Sequence, residues 1–276
     1  MIKRIVAAAV LVMLSWSLTG QEYSWTAGRI DGSRTGCSVP SKENVEAALG
    51  KFKGKTYVAP NGRKFARNTA AAKVARVVMD AQPAMAKVKD VIAYSPESMS
   101  VTYPEGPLSN WFVDLLMAHV EKLSGSKVHV GVANFGGIRI DMPKGDIILD
   151  DMKSMFPFKN QLVYVEHKGS EIRKLLDWMA AGRFQVLGGV RVVAEDGKIV
   201  SAEIGGEPID DEKIYGMATI SFLLNGGDGL NLADNAVKVV RYDDVDVIDA
   251  VLEYVYAETA AGRQITYESD GRVVIR

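Results

Sequence analysis

Three short, non-periodic motifs hold the residues able to do chemistry. They are Asn134-Phe135-Gly136-Gly137-Ile138-Arg139, Phe156-Pro157-Phe158-Lys159-Asn160, and Ser221-Phe222 followed by Asn225-Gly226-Gly227-Asp228-Gly229. Each sets glycine or proline beside a side chain that can stack or hydrogen-bond, the composition of loops that let backbone approach a small molecule closely. The chemistry on offer is binding. Pro157 restrains its own backbone and that of Phe156, so one aromatic ring of this motif is held in a defined place. A second ring, Phe222, ends a strand-like run, and two rings from separate loops can clamp a planar group between them. Asn160 offers donor and acceptor atoms to the edge of a base, Asp228 can accept from two vicinal hydroxyls of a ribose, and Arg139 can meet a phosphate. Taken singly, each feature has a plainer reading: a Gly-Gly-Asp-Gly turn, a Pro-Phe pair packed in a core, a solvated arginine.

Other chemistries find little support. His119, His129 and His167 are the only histidines and fall in no metal-ligand spacing, and the single Cys37 excludes an internal disulfide or a multi-cysteine metal site. The segment 50–56, Gly-Lys-Phe-Lys-Gly-Lys-Thr, has three residues between its glycines where a phosphate-binding P-loop needs four. Ser124 and Lys127 have the spacing of an acylating serine and its lysine, but they lie in the polar break Ser-Gly-Ser-Lys and read as a turn.

The chain of 276 residues is 47% hydrophobic and 24% charged with a formal net charge of -1, the profile of a protein that buries a substantial core. That near-neutral balance argues against a nucleic acid polymer as partner, which calls for a clustered basic face. Residues 1–20 read as a secretory signal: Lys3 and Arg4, an apolar run over 5–14, then a small and polar stretch. The expected location is therefore periplasmic or extracellular, with no transmembrane anchor after signal removal.

Residues 21–95 read as a largely irregular N-terminal extension with short helices, at 44–49 (capped by Ser41 or Asn44) and, amphipathically, at 69–79. Residues 96–276 read as one domain. Helices are expected over 108–123, 170–181 (capped by Ser170) and 245–260, and strands over 127–133, 162–167, 189–194, 198–204, 213–220 and 264–275. Helices and strands mixed without βαβ alternation indicate an α+β domain of stacked layers. The order of these elements places the Asn134 loop after one strand, Asn160 before another and Phe222 at the end of a third.

This combination and order of motifs resembles the C-terminal, substrate-recognition domain of the 5'-nucleotidase family. The resemblance rests on Asn134-x-Gly136-Gly137-x-Arg139, Pro157-Phe158-x-Asn160, the helix entry Gly169-Ser170-Glu171-Ile172, Gly188-Gly189-Val190-Arg191, and Ser221-Phe222-x-x-x-Gly226-Gly227-Asp228-Gly229, spanning about residues 104–249. It implies a layered α/β/β/α sandwich. It also implies that Phe158 and Phe222 stack on the base, that Asn160 and Asp228 bind base and ribose, that Arg139 holds the ribose-phosphate, and that Asn134 and Gly189 belong to the same substrate-binding set. Family members carry further arginines just before the first helix, whereas residues 95–106 contain Glu97 and Glu105 and no arginine.

The family's hydrolytic machinery lies in a separate N-terminal metallophosphatase domain that holds two metals, and residues 21–95 contain no histidine. The expectation is a recognition subunit of an exported 5'-nucleotidase-type phosphohydrolase in nucleotide catabolism, with no catalytic residue and no cofactor of its own. Divalent metals and the attacking water would come from a partner metallophosphatase subunit, met around 25–37 or 57–65. The alternative is an autonomous nucleoside-binding protein with no enzyme attached, and a third reading is a degenerate member whose pocket stays empty.

Overall fold

The structure is a computed structural model and describes residues 45–276. The expected signal at 1–20, Cys37, the 25–37 contact surface and the caps Ser41 and Asn44 lie outside the described residues. The chain forms two compact units, one ending at Arg76 and the other running from Val77 to Arg276.

In the first unit, helix α1 (Val45–Leu49) leads into an antiparallel meander of β1 (Lys51–Lys53), β2 (Thr56–Val58) and β3 (Lys64–Ala66). The P-loop-like segment is the β1–β2 hairpin, with Lys53 paired to Thr56. Tyr57 is buried, its ring 5.2 Å from Phe52 and 6.0 Å from Phe65, and its hydroxyl donates to the Leu49 carbonyl at 2.9 Å. The aromatics of 57–65 are thus spent on the meander's own small core, which leaves less of them for a partner. Helix α2 (Ala70–Met85) follows, longer than expected, with Thr69 Oγ1 accepting from the Ala72 amide. Residues 51–85 are therefore far more regular than the sequence suggested. Three-residue strands carry no readable period.

The second unit begins with β4 (Val91–Ser95), α3 (Pro107–Ser124), β5 (Val130–Ala133), β6 (Gly145–Ile148) and α4 (Leu149–Met155). It continues with β7 (Gln161–Lys168), α5 (Gly169–Ala181), β8 (Val186–Gly188), β9 (Val190–Glu195), β10 (Lys198–Ile204) and β11 (Glu207–Pro208). Then come β12 (Ile214–Ile220), α6 (Ser221–Leu224), β13 (Lys238–Asp246), α7 (Val247–Ala260) and β14 (Val273–Ile275). The strands form a five-stranded sheet ordered β13-β7-β12-β5-β8, a four-stranded sheet ordered β11-β10-β9-β14, and the pair β4-β6. The fold class is layered α+β, as the sequence and the resemblance imply.

Helix α3 is the keystone of the core. Pro107 sits in its first turn, Ser109 Oγ accepts from the Gly106 amide at 3.1 Å, and Gly125 closes it with φ +63°. Leu108, Trp111, Phe112, Leu115 and Leu116 are buried against the sheet, each contributing about 1.5–3 kcal/mol on full burial. At the end of the helix Leu123 is exposed, while Val113 and Val120 are buried, because the helix packs on α7 as well as on the sheet.

Three local differences have physical causes. Helix α5 starts at Gly169 and Ser170 does not cap it: the Gly169 and Ser170 amides donate to the Lys213 and Asp211 carbonyls, so a neighbouring loop satisfies the orphan donors. A Cβ on Gly169 would stand 2.0 Å from the Asp210 carbonyl oxygen, so only glycine permits that approach. Of the strand expected over 264–275, only β14 joins a sheet. Strand β13 went unrecognised because it is a sheet-edge strand, mostly exposed and rich in Lys, Arg and Asp, which protects an edge but erases the alternation. Ser124 and Lys127 form the expected turn, with Ser124 Oγ accepting from the Ser126 amide and Lys127 paired to Glu121.

Candidate functional site

Sheet register gathers the three motifs. Strands β5 and β12 run parallel, with Ala218 beside Gly131, while β12 and β7 run antiparallel, with Ile220 opposite Leu162. The C-terminal ends of β5 and β12 and the N-terminal end of β7 therefore open on one edge. Counting on from these pairs, Ser221 stands beside Asn134 and Phe222 opposite Asn160. The Gln161 amide donates to Ser221 Oγ at 3.1 Å and fastens the second motif to the third. Ligand crevices in open sheets form at such strand ends.

The Phe-Pro-Phe motif divides its labour. Phe156 is buried and stacks on Phe112 at 4.5 Å, anchoring the loop, while Phe158 is left 48% exposed. The Arg139 guanidinium lies 5.8 Å from the centre of the Phe158 ring, and its Nη1 donates to the Gly136 carbonyl at 3.2 Å. Asn160 is half-buried; its carbonyl accepts from the Val247 amide at 2.8 Å, and the residue lines a recess together with Phe158, Asn134 and Gly137.

Asn134 is the hinge of the site. It is buried, and its Nδ2 donates to Asp228 Oδ2 at 2.8 Å, tying the first motif to the third across 94 residues. Its Oδ1 is buried without a partner among the described residues. Asp228 is exposed and takes the left-handed conformation, φ +51°, which Asp tolerates better than most residues. The carboxylate is thus aimed by backbone strain on one side and by an amide on the other, with one oxygen engaged and the rest of its acceptor capacity open.

Phe222 is 41% exposed on the one-turn helix α6, and its ring rests flat against Gly227. A Cβ at Gly227 would lie 2.5 Å from the nearest ring atoms. Gly227→Ala is expected to push the ring off its seat at a stability cost under about 1 kcal/mol, because the ring can swing into solvent. Ring-proton NMR shifts with a nearly unchanged melting curve are the expected signature, and unchanged ring shifts would refute the contact.

Gly189 is not gathered with the other six residues. Pairing of Gly131 with Gly188 sets it at the far end of β5, where φ is +69° and a Cβ would stand 2.1 Å from the His129 carbonyl. Its glycine is explained by that close backbone approach.

A cluster beside the Asn134 loop has no signature in the sequence. The Tyr103 ring, 45% exposed, lies 5.9 Å from Phe135, and the Arg183 guanidinium covers it at 4.9 Å. Phe135 sits inside a motif already singled out, but Tyr103 and Arg183 come from distant loops without periodic pattern. The stretch 95–106, which lacks arginine, thus receives a cation from the loop after α5. Its glutamates are engaged elsewhere: Glu105 accepts from the Gly271 amide at 2.9 Å and Glu97 from Thr266 Oγ1 at 3.3 Å.

Among the described residues no three His, Cys, Asp or Glu side chains converge as a metal site. His129 Nδ1 accepts from the Gly216 amide, His119 lies 3.8 Å from Glu253, and burial is the main cause that holds both below the usual histidine pKa. No helix among the described residues is long and apolar enough to cross a membrane.

The family model described as 5'-nucleotidase, C-terminal domain, matches residues 84–235, more than half of the chain. Protein UshA of Escherichia coli (strain K12) is 34% identical over 148 residues, covering 51% of this chain and 26% of that protein. A 5'-nucleotidase of Bos taurus is 24% identical over 243 residues, 78% of this chain and 38% of the relative. Among solved structures, a 5'-nucleotidase precursor from Thermus thermophilus superposes with a TM-score of 0.62 at 27% identity, over 74% of this chain and 43% of that one. The NAD nucleotidase of Haemophilus influenzae shares the fold, with a TM-score of 0.54 at 18% identity, over 80% of this chain and 48% of that one. The chain spans less than half the length of each of these relatives.

Proposed function

The chain belongs to the 5'-nucleotidase C-terminal domain family, and on that premise we propose that it is the exported nucleotide- or nucleoside-recognition subunit of a 5'-nucleotidase-type phosphohydrolase. The observation that carries the reading is the convergence at one sheet edge of two half-exposed rings, Phe158 and Phe222, with Asp228 held by Asn134 between the loops. The base stacks between Phe158 and Phe222 while Asn160 reads its edge. Asp228 takes the ribose hydroxyls, and Arg139 meets the phosphate. Asn134 positions Asp228. Substrate positioning is the contribution to catalysis, and proton transfer is not.

Catalysis itself, in this reading, comes from a separate metallophosphatase chain that supplies the divalent metals and the attacking water. The scarcity of histidine supports this, since the whole sequence has three and they lie apart, on α3, just before β5 and on β7. Export is supported by the basic start and apolar run within residues 1–20.

The test is calorimetric titration of the full chain with adenosine and with AMP, phosphate release being followed in the same samples with added divalent metal. Saturable binding without turnover is expected. Turnover that survives stringent purification would overturn the assignment of catalysis to another chain, and absence of binding would overturn the pocket. Asp228→Ala is expected to weaken adenosine binding by about 1–3 kcal/mol, the worth of hydrogen bonds to a charged group. The same variant should affect 2'-deoxyadenosine less, since one vicinal hydroxyl is already missing; equal losses for both ligands would remove Asp228 from the ribose.

A further inference from the structure

A cleft of about 350 Å³ opens on the other side of the Gly227–Gly229 turn, between helix α5 and the chain over 229–235. That volume is within the range of small-molecule sites. Its deepest polar group is His167, on β7 and only 5% exposed. His167 Nε2 lies 3.0 Å from the Leu232 carbonyl. A carbonyl only accepts, so Nε2 carries the proton and Nδ1 is left with a lone pair. That Nδ1 is buried and has no partner among the described residues. Burial is the main cause that holds the imidazole below its usual pKa, which keeps the ring neutral and Nδ1 an acceptor. A buried acceptor left unmatched is costly, and because His167 lines the cleft, an O–H or N–H donor bound at the cleft floor is the group that would match it.

The rest of the lining narrows the ligand class. Trp178 is 48% exposed and forms a wall, backed by Gly229, where a Cβ would stand 3.3 Å from the indole. An exposed indole over a cleft offers a flat apolar face to ring C–H groups. The charges at the rim neutralise one another: Glu171 accepts from Lys174 at 2.7 Å and from Asn235 at 3.1 Å. With Lys174 paired and Asp234 also lining the cleft, no unpaired cation among the described residues faces it, so a phosphate is disfavoured. Asn231 and Asp234 add further acceptors, and Asn231 a donor.

We propose that this cleft binds the ring of a neutral sugar, one ligand hydroxyl donating to His167 Nδ1, the Trp178 face covering the apolar side of the ring, and Asn231 and Asp234 holding further hydroxyls. The site is separate from the nucleoside pocket, and the two share a wall: Asp228 turns toward Asn134, and Gly229, the next residue, backs Trp178.

The test is titration of the full chain with D-glucose, D-galactose and glycerol, each alone. Long-range ¹H–¹⁵N spectra of the histidine rings and tryptophan fluorescence are the readouts. The expected result is a saturable upfield move of the His167 Nδ1 resonance with a hexose at millimolar concentration, the His119 and His129 signals staying in place. Trp178→Ala is expected to weaken the hexose about tenfold and leave adenosine binding unchanged. His167→Phe is expected to abolish the hexose response; should that variant not fold, Trp178→Ala still decides the matter because its side chain is half exposed. The proposal is overturned if no probe moves Nδ1, if Nδ1 is already hydrogen-bonded to a resident water that the sugars do not displace, or if adenosine moves the resonance and the hexoses do not.

Discussion

Replacing both Phe158 and Phe222 by alanine is expected to remove measurable adenosine binding and leave the fold intact. Each base-aromatic stack contributes about 1–3 kcal/mol, so losing two costs about 2–6 kcal/mol, roughly thirtyfold to more than ten-thousandfold in affinity. The loss in the double variant should exceed or fall short of the sum of the two single losses only if the rings are coupled through the ligand, which a double-mutant cycle reads directly. Stability should barely change, because the rings are 48% and 41% exposed and neither anchors the core. Phe156 supplies the contrast. It is buried, stacked on Phe112 and 6.4 Å from Trp111, so Phe156→Ala is expected to cost about 3–5 kcal/mol of stability. Calorimetric titration beside urea unfolding separates the cases. A double variant that still binds adenosine with near wild-type affinity would end the stacking model.

The contrast between Phe156 and Phe158 also marks the limit of what sequence can tell. Pro157 announces that one ring is fixed, but only the packing of α3 decides that the ring before the proline goes inside and the ring after it stays out. The strands that carry the site were legible, because β7 and β12 are long enough to show their hydrophobic runs, and the motifs at their ends stand out by composition. Register was not legible. Nothing local says that β5 and β12 are parallel neighbours, yet that pairing brings Asn134 beside Ser221 and allows its amide to reach Asp228. Gly189 shows the converse: it lies in a motif that carries the resemblance, and its distance from the other six residues follows from its place at the opposite end of β5. Tyr103 and Arg183 were invisible for the same reason, since their contact joins two loops that no periodicity describes. The meander over 51–66 was missed because three-residue strands are too short to alternate visibly.

Arg272→Ala is expected to destabilise the protein by at most about 3–5 kcal/mol, the effect of removing one partner from a fully buried ion pair, because Asp114 and Asp270 keep 30% and 46% of their side-chain surface and are partly hydrated. Arg272 is 6% exposed and forks onto Asp114 with two contacts of 2.8 Å, onto Asp270 at 2.8 and 2.9 Å, and onto the Leu187 carbonyl at 3.3 Å. Tyr267 donates a further hydrogen bond to Asp114. The cluster clasps the chain entering β14 to helix α3 and strand β8, and β8 pairs with β5, whose end bears Asn134. Alanine would leave two carboxylates with only Arg191, which donates to the Asp270 backbone carbonyl at 3.1 Å, as a nearby cation among the described residues. Asp114→Asn on top of Arg272→Ala should therefore recover part of the loss, which distinguishes the stranded charge from lost packing.

The same cluster contributes to the pH dependence of stability at both ends. Its hydrogen bond to Arg272 is the largest cause holding Asp270 below the usual carboxylate pKa, a depressed folded-state value. That contribution is present above the ordinary carboxylate pKa of about 4 and is lost as pH falls through the folded value. Burial first, then the bond to Asp114, pushes the Tyr267 hydroxyl up to about 12. A raised folded-state value works in the opposite sense: full below about pH 10 and lost as pH rises toward 12. Urea midpoints of the wild type should fall at both ends, while Arg272→Ala should show a flatter acid limb at an unchanged m-value. A loss under about 1 kcal/mol at neutral pH would place the cluster with ordinary surface pairs, whose solvent screening leaves them little to contribute.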